Sequence, residues 1–412
     1  MPLSRAAART VHARPLASCA RPLASCAAAL VLALSLAGCS DDGDASAGTT
    51  TTTSASTKAS TAPDFTGVDD AVDEFVTAEE LNGAALVVVD REDGIVHEHY
   101  AGEFGPDRVS LIASSSKMLT AGVLMRLDDE GLLDVDAPVA DAVDWGTANP
   151  DITPAQLVSN SSGLVGLVDD PTFSPYICQY VAAGDLEGCG RQIFTTDLDD
   201  EDVVPPDTRF RYGGGQWQVA GAVAEAVSGR SWAELIETTY VEPCGVESLG
   251  YNNHFAQPAA LGGPEASPFT YPAGIDGDVA VLAPTDNPNM EGGAYVTPPD
   301  YAELLLMHLR DGRCGETQVL SPEAVERMHT DRVGPAYGGT KKDGEPTAYG
   351  LGWWVDEDDP AIIEDGGAFG AVPWLDLDDG YGVFLLVERT NKDGQRLADT
   401  IAPLVEEQLG SG

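Results

Sequence analysis

Strand-like segments occur at both ends of the foldable part of the sequence, and helical segments separate them. Residues 84–90 and 95–101 predict a β-hairpin, because the Asp93-Gly94 pair between them is typical of a tight turn. Strand patterns return after residue 349, at residues 351–356, 361–364, 372–377 and 381–388. This order predicts an α+β fold in which distant parts of the chain close one antiparallel sheet.

Helices are expected to flank this sheet. Residues 114–131 carry apolar side chains at helical spacing, among them Met118, Val123 and Leu127. Other helices are predicted at residues 68–81, 217–228, 299–311 and 395–409. Helices and long Gly- and Pro-rich loops make up most of residues 134–331, which predicts a largely helical inserted subdomain.

The N-terminus has the features of an export signal. Residues 1–38 contain a basic leader and an apolar run at residues 27–37 that is too short to span a bilayer. Leu36-Ala37-Gly38-Cys39 resembles the lipobox of bacterial lipoproteins, which predicts cleavage before Cys39, lipidation of that cysteine and a place on the outer face of the cytoplasmic membrane. An ordinary signal peptide with an incidental cysteine is the alternative.

The composition of residues 39–66 differs from that of the rest of the chain. Residues 39–66 are rich in Thr, Ser, Ala and Gly and predict a flexible linker, while residues 67–412 form the folded domain. The formal net charge is −45, so the surface repels phosphate backbones and nucleic acid is excluded as a partner. The oligomeric state stays open.

Four cysteines lie within the predicted domain, an even number in an exported chain, which indicates two disulfides. Three pairings are open; we favour Cys178 with Cys189, which are close in sequence, and Cys244 with Cys314. A zinc site is the rival interpretation, but no Cys-x-x-Cys spacing or histidine cluster supports it. The histidines at 97 and 99 share one strand face and are expected to be solvent-exposed. No metal, nucleotide or flavin motif occurs, so no cofactor is expected.

The start of the helix at residue 114 carries a candidate nucleophile. Ser114 and Lys117 are three residues apart and therefore share one helix face. A desolvated amine can take the proton of a serine hydroxyl near neutral pH, and N–H groups at the helix start can stabilise an oxyanion. The alternative is a serine that only caps the helix.

Two further segments could complete a site. Tyr212 precedes Gly213 and Gly214 at the start of a helix, where a phenol near an ammonium could act as an acid/base group. Residues 364–370 include Gly366 and Gly367, whose backbone N–H groups could approach a bound carbonyl. The structural alternatives are that Tyr212 is only a buried aromatic residue beside a Gly-rich turn and that Gly366-Gly367 is only a turn.

In this order, these elements resemble the serine β-lactamase and penicillin-binding-protein superfamily, most closely its branch of class C β-lactamases, D-alanyl-D-alanine carboxypeptidases and related esterases. The resemblance runs from about residue 68 to 409 and includes matches to other family signatures at residues 127–139, 152–164, 292–300 and 349–353. It implies Ser114 as the acylated nucleophile, Lys117 as its proton acceptor, Tyr212 as general acid/base, and the N–H groups of Ser114 and Gly367 as the oxyanion hole. Which of Lys117 and Tyr212 takes the first proton stays open.

Two substrate-binding positions depart from the family pattern. Gly214 stands where much of the family has the asparagine of Tyr-x-Asn, and Glu364-Asp365-Gly366 stands where β-lactamases and peptidases have Lys-Thr-Gly or His-x-Gly. A carboxylate there repels the free carboxylate of a β-lactam or a D-alanyl terminus by about 1 kcal/mol in water-like surroundings and more in a dry pocket. Shifting the match by one residue, to Asp365, leaves the sign unchanged. Small or peptide-like esters and amides, neutral or cationic near the scissile bond, are the favoured substrates.

Three functions follow from this pattern. The first is an esterase-like serine hydrolase; the second is a D-alanyl-D-alanine carboxypeptidase or class C-type β-lactamase; the third is a non-catalytic binding or sensor protein on the same fold. An α/β-hydrolase is excluded because the sequence contains no Gly-x-Ser-x-Gly.

Overall fold

The strands from both ends of the domain join in one sheet. The computed structural model describes residues 63–197, 202–257, 269–334 and 347–410. In chain order the strands are β1 (Gly83–Asp90), β2 (Gly94–Gly102), β3 (Ser110–Leu111), β4 (Gly250–Tyr251), β5 (Ala294–Val296), β6 (Arg313–Cys314), β7 (Thr317–Gln318), β8 (Trp354–Val355), β9 (Ile362–Glu364), β10 (Ala371–Asp376) and β11 (Tyr381–Val387). The main sheet has the order β2-β1-β11-β10-β9-β8, and its hydrogen-bonded strand pairs are antiparallel. β1 pairs with β11, so the predicted closure by distant segments is confirmed.

Helices cover both faces of this sheet. They are α1 (Thr66–Ala78), α2 (Lys117–Asp129), α3 (Val139–Ala142), α4 (Pro154–Val158), α5 (Leu186–Thr195), α6 (Gly215–Ser228), α7 (Trp232–Ile236), α8 (Glu242–Cys244), α9 (Pro298–Leu309), α10 (Pro322–His329) and α11 (Asn391–Leu409). α1 and α11 pack on one face and α2 and α9 on the other, which explains why β1 is apolar at nearly every position instead of alternating. The α+β architecture is therefore as predicted.

α2 runs through the centre of the protein. Residues 117–125 along it are all buried, as in a helix surrounded by other elements. It packs on the main sheet and on helices of the segment between β3 and β8, which is largely helical as predicted. That segment also contains strands that the sequence did not predict, including β4 and β5, which form a small sheet with β3. The central helix consequently places its first turn where the sheet and the helical insertion meet.

Several predicted boundaries differ from the structure by a few residues, and two of these differences have a clear structural cause. The strand expected at residues 351–356 is reduced to β8, because Gly352 approaches α2 with φ +86°; a Cβ there would lie 2.7 Å from Met118 Cα. The last helix begins at Asn391 and not at residue 395, because the Thr390 side chain accepts a hydrogen bond from the Asp393 N–H and caps it.

The cysteines form the two predicted pairs. Cys178 is bonded to Cys189 and Cys244 to Cys314, with Cα–Cα distances of 5.7 and 5.0 Å. The histidines at 97 and 99 of β2 are half-buried and not solvent-exposed, because their rings lie against carboxylates of α1.

The predicted signal, the predicted lipidation site Cys39 and nearly all of the predicted linker lie outside the described residues. The described residues belong to one unit, Thr61–Gly412. Within the part of the chain that the structure describes, we find no helix with the length and apolar character required to cross a membrane.

Candidate active site

Ser114 lies in a single 3-10 turn, Ala113–Ser116, that continues into α2. The preceding Ala113 has φ +47°, a left-handed conformation that costs a residue with a Cβ roughly 1 kcal/mol. This conformation is held by the pairing of β3 with β5 and by the hydrogen bond from the Ile112 N–H to the Ala294 carbonyl, 3.1 Å. Strain of this kind is common where a side chain must be presented to a ligand.

Of three consecutive serines, only the first faces a cavity. Ser115 and Ser116 are fully buried, and their hydroxyls donate to the carbonyls of Asp365 and Ala113, both at 2.6 Å. Ser114 is partly exposed and lines a cavity of about 880 Å³. Ser114 is therefore the serine of this run that can meet a substrate.

Lys117 is fully buried directly beneath Ser114. Its Nζ donates to Ser114 Oγ at 3.0 Å and to the Glu291 carbonyl at 2.9 Å. The faces of Tyr212 and Trp217 lie 4.6 and 5.5 Å from Nζ. The amine is within hydrogen-bonding reach of the Ser114 hydroxyl, as the Ser-x-x-Lys spacing predicts.

Tyr212 joins the same group of side chains. Its ring lies 4.6 Å from Lys117 Nζ and stacks on Trp354 with ring centroids 5.1 Å apart, and its phenol neighbours the Ser114 side chain. Burial raises the pKa of the Tyr212 phenol, while the neighbouring Lys117 ammonium acts to lower it. The structure thus brings the three predicted catalytic side chains together.

The cavity above Ser114 has mostly apolar and aromatic walls. Its aromatic side chains are Tyr180, Tyr212, Phe255, Phe269, Trp354 and Phe369. Among the described residues that line it, the acidic ones are Glu291 and Glu364, and none is lysine or arginine. Such walls suit a neutral or cationic ligand better than an anionic one.

Two consecutive acidic residues, Glu364 at the end of β9 and Asp365 directly after it, have different surroundings. Glu364 lines the cavity, where burial and then the charges of Asp399 and Asp356 raise its pKa. Asp365 is fully buried and accepts a hydrogen bond from the Met118 N–H at 3.1 Å, at the start of α2. Burial raises the pKa of Asp365 well above its usual range. Glu364, rather than Asp365, therefore contributes charge to the cavity wall.

The glycines predicted to bind substrate are placed differently from one another. Gly366 lines the cavity. The Gly367 N–H, which the resemblance assigned to the oxyanion hole, donates to the Ala371 carbonyl at 2.7 Å and is engaged within the β9–β10 connection. The Gly214 N–H donates to Glu291 Oε2 at 2.8 Å, so it also points away from a substrate.

Sequence reasoning missed Glu291 and His254. Glu291 directly precedes a segment that matches a family signature, but nothing local shows that it contacts Lys117, which is 174 residues away. His254 is buried in the cavity wall, and neither ring nitrogen has a hydrogen-bond partner in the described part of the protein. Burial lowers the pKa of His254 to about 3, so the ring is neutral at physiological pH.

Comparisons with known proteins agree with this geometry. The model of the Beta-lactamase family matches residues 68–406. Penicillin-binding protein 4 of Amycolatopsis lactamdurans is 26% identical over 334 residues, covering 76% of this chain and 81% of that protein. Lovastatin esterase of Penicillium rubens is 23% identical over 294 residues, covering 62% of this chain and 70% of the esterase.

A solved structure shows the same fold. The LovD6 mutant of simvastatin synthase (LovD) from Aspergillus terreus superposes with a TM-score of 0.64 at 17% identity, covering 84% of this chain and 97% of that one. At this identity the likeness concerns the fold alone.

Proposed function

Because the chain belongs to the β-lactamase family, whose members are serine hydrolases, we propose that it hydrolyses esters through an acyl-enzyme at Ser114. The proposal depends most on the 3.0 Å contact between Lys117 Nζ and Ser114 Oγ at the floor of the cavity. Tyr212, which neighbours the same hydroxyl, supplies the second acid/base group. A hydroxyl that is hydrogen-bonded to an amine and lies beside a phenol has the arrangement of an activated nucleophile.

The chemistry takes two half-reactions. Ser114 Oγ attacks the ester carbonyl while its proton passes to the Lys117–Tyr212 pair, and that pair then returns the proton to the leaving alcohol. Water, deprotonated by the same pair, attacks the acyl carbonyl; the bond from that carbonyl to Ser114 Oγ then breaks, and the pair returns its proton to Oγ, which releases the acid and regenerates the serine. The developing negative charge on the carbonyl oxygen needs two N–H donors.

We assign these donors to Ser114 and Ala368. The N–H groups of Asp365 and Gly367 both point towards β10, where they donate to the carbonyls of Pro373 and Ala371 at 3.3 and 2.7 Å. The chain turns directly after Gly367, where the Gly370 N–H donates to the Gly367 carbonyl at 3.0 Å, so the next N–H, that of Ala368, lies outside the pairing with β10. Ala368 lines the cavity and packs against the cluster that contains Ala113, the neighbour of the nucleophile.

The negative charge of Glu364 favours neutral or cationic substrates over anionic ones. β-Lactams and D-alanyl peptides carry a free carboxylate, which the family's lysine or histidine would attract and which Glu364 repels. Because burial raises the pKa of Glu364, this repulsion is weak in acid and grows as the pH rises through that pKa. The carboxypeptidase or β-lactamase function is therefore the second candidate, supported by the resemblance to penicillin-binding protein 4.

The proposal can be tested with aryl esters of matched size that carry a neutral, a trimethylammonium or a carboxylate group. A chromogenic cephalosporin is assayed in parallel. We expect wild-type kcat/KM to be at least about tenfold lower for the anionic ester than for the neutral one, since about 1.4 kcal/mol corresponds to tenfold. Glu364→Lys is expected to invert the order of the cationic and anionic esters. Measurements at pH 6 and 8 check that the discrimination increases with pH.

Glu357→Lys is the matched control, because it makes the same change of charge at an exposed site outside the residues that line the cavity. Cephalosporin turnover as fast as ester turnover would favour the β-lactamase alternative. Labelling by a fluorophosphonate probe without turnover, or no labelling, would favour a binding or sensor protein.

We also propose that the protein is a lipoprotein on the outer face of the cytoplasmic membrane, anchored through Cys39. The lipobox-like segment before Cys39 and the Thr- and Ser-rich linker after it support this location. Cys39→Ala is expected to block incorporation of labelled fatty acid and to move the protein out of the membrane fraction. Recovery of the wild-type protein in the medium with an unmodified Cys39 would contradict the anchor.

A further inference from the structure

Glu291 is a buried acid held against the candidate catalytic lysine. The residue is 4% exposed, and its Oε2 lies 3.7 Å from Lys117 Nζ. Its backbone carbonyl also accepts a hydrogen bond from Nζ at 2.9 Å. A buried carboxylate is costly unless charges and hydrogen bonds compensate it, so this double contact is unlike a chance surface pair.

The remaining contacts of Glu291 fix the direction of its carboxylate. Oε2 accepts the Gly214 N–H at 2.8 Å, and Oε1 accepts the Tyr180 hydroxyl at 3.3 Å. Burial and the nearby Glu291 charge raise the pKa of Tyr180, so its phenol stays a neutral donor. Two donors from different segments therefore hold the carboxylate beside Lys117.

Gly213 makes room for this carboxylate. It has φ +70°, and a Cβ on it would lie 2.4 Å from Glu291 Oε2. Gly214, which has φ +84° and stands where the resemblance expects an asparagine, supplies the backbone N–H that Oε2 accepts. The space and one of the donors for the carboxylate therefore come from neighbouring residues of one turn.

We propose that Glu291 is a positioning residue that holds the Lys117 ammonium against Ser114 and sets the pH at which that lysine releases its proton. The role presupposes the proposed function, in which Lys117 and Ser114 are the reacting pair. Three acidic groups act on Lys117: Glu291 from the segment before β5, Tyr212 from the segment before α6, and Asp365 from the segment after β9. Of these, Glu291 has an oxygen within ion-pair distance of Nζ.

Glu291→Gln removes the charge and keeps nearly the same shape, so it separates electrostatics from packing. The sequence contains five lysines, Lys58, Lys117, Lys341, Lys342 and Lys392, which makes a ¹³C-lysine NMR spectrum simple to assign with a Lys117→Arg variant. Because a negative charge within 4 Å stabilises an ammonium, we expect the Lys117 signal to titrate at least about one pH unit lower in Glu291→Gln than in wild type.

Catalysis supplies a second readout. In Glu291→Gln the acid limb of the kcat/KM profile is expected to move in the same direction as the NMR titration. At a pH above the acid limb of both proteins, we expect kcat for a neutral aryl ester to fall about tenfold or more while KM changes less than about threefold. The reason is that a less basic and less firmly positioned amine takes the Ser114 proton less readily, whereas the cavity walls that bind the ester are unchanged. Glu291→Asp keeps the negative charge but moves it away from Lys117 by the length of one methylene group. Its Lys117 titration and its kcat should therefore be intermediate between those of wild type and Glu291→Gln.

Glu388→Gln is the matched control. Glu388 is a second buried glutamate, paired with Arg108 at 2.6 Å and absent from the residues that line the cavity. The Glu388→Gln variant should leave the Lys117 titration and the pH profile of kcat/KM unchanged.

Two results would overturn the proposal. One is an unchanged Lys117 titration in both Glu291 variants; the other is a loss of turnover with no movement of the acid limb, as expected for a purely structural residue. If the wild-type protein shows neither labelling nor turnover, the proposed function fails, while the NMR titration still decides whether Glu291 controls Lys117. If Glu291→Gln fails to fold, the same measurements are made on Glu291→Asp.

Discussion

Ser114→Ala is expected to abolish labelling by a fluorophosphonate and to lower kcat for ester hydrolysis by about four orders of magnitude or more. The covalent route requires this hydroxyl, and what remains is binding in the cavity and stabilisation of the oxyanion by N–H groups. The neighbouring serines cannot replace it, because the Ser115 and Ser116 hydroxyls are fully buried and donate to main-chain carbonyls. Progress curves and mass spectrometry of the labelled protein measure both effects.

Ser115→Ala serves as the control for this variant. It removes one buried hydrogen bond, to the Asp365 carbonyl, without touching the cavity. It should cost about 1 kcal/mol of stability and leave labelling in place. Retained labelling in Ser114→Ala, or a modified peptide that does not contain residue 114, would mean that the nucleophile lies elsewhere.

The parts of this protein that the sequence predicts well are those with local causes. The hairpin of β1 and β2 follows from apolar runs around an Asp-Gly turn, and α2 follows from helical spacing of apolar residues. The Ser114–Lys117 contact is also local, since three residues along a helix bring two side chains onto one face. Tyr212 needed the family resemblance, because its place beside Ser114 depends on tertiary packing.

The parts that the sequence predicts poorly depend on contacts between distant segments. β8 is short because Gly352 must pass close to the backbone of α2, which no strand pattern reveals. The N–H of Gly367 is taken by Ala371 because the chain turns back into β10 there, so a family match in sequence does not settle which amide faces the cavity. The contact of Glu291 with Lys117 likewise arises from the folded arrangement of the segment before β5.

Glu291 and Glu364 together give this site a charge pattern opposite to that expected from the Lys-Thr-Gly motif. One carboxylate lies beside Lys117 and the other in the cavity wall, while the described lining contains no lysine or arginine. A substrate carboxylate would therefore meet like charge at Glu364, whereas the charge of Glu291 is paired with that of Lys117.

Lys117→Met is the second change with a large expected effect, and it acts on both activity and stability. Methionine keeps an unbranched chain of similar length but cannot transfer a proton, so kcat should fall about 10³- to 10⁴-fold. The variant also leaves the Glu291 carboxylate buried without its ammonium, which costs on the order of 3 kcal/mol of unfolding free energy. The Gly214 and Tyr180 donors that remain on the carboxylate limit this loss.

The double variant Lys117→Met/Glu291→Gln separates the two effects. Neutralising the carboxylate removes the unpaired buried charge, so urea unfolding should show much of the lost stability restored, whereas turnover should stay as low as in Lys117→Met. Equal stability of the wild-type and Lys117→Met proteins would show that the ion pair contributes little to folding. Turnover restored in the double variant would show that the proton of Ser114 does not pass through Lys117, and Tyr212 would then be the group that removes it.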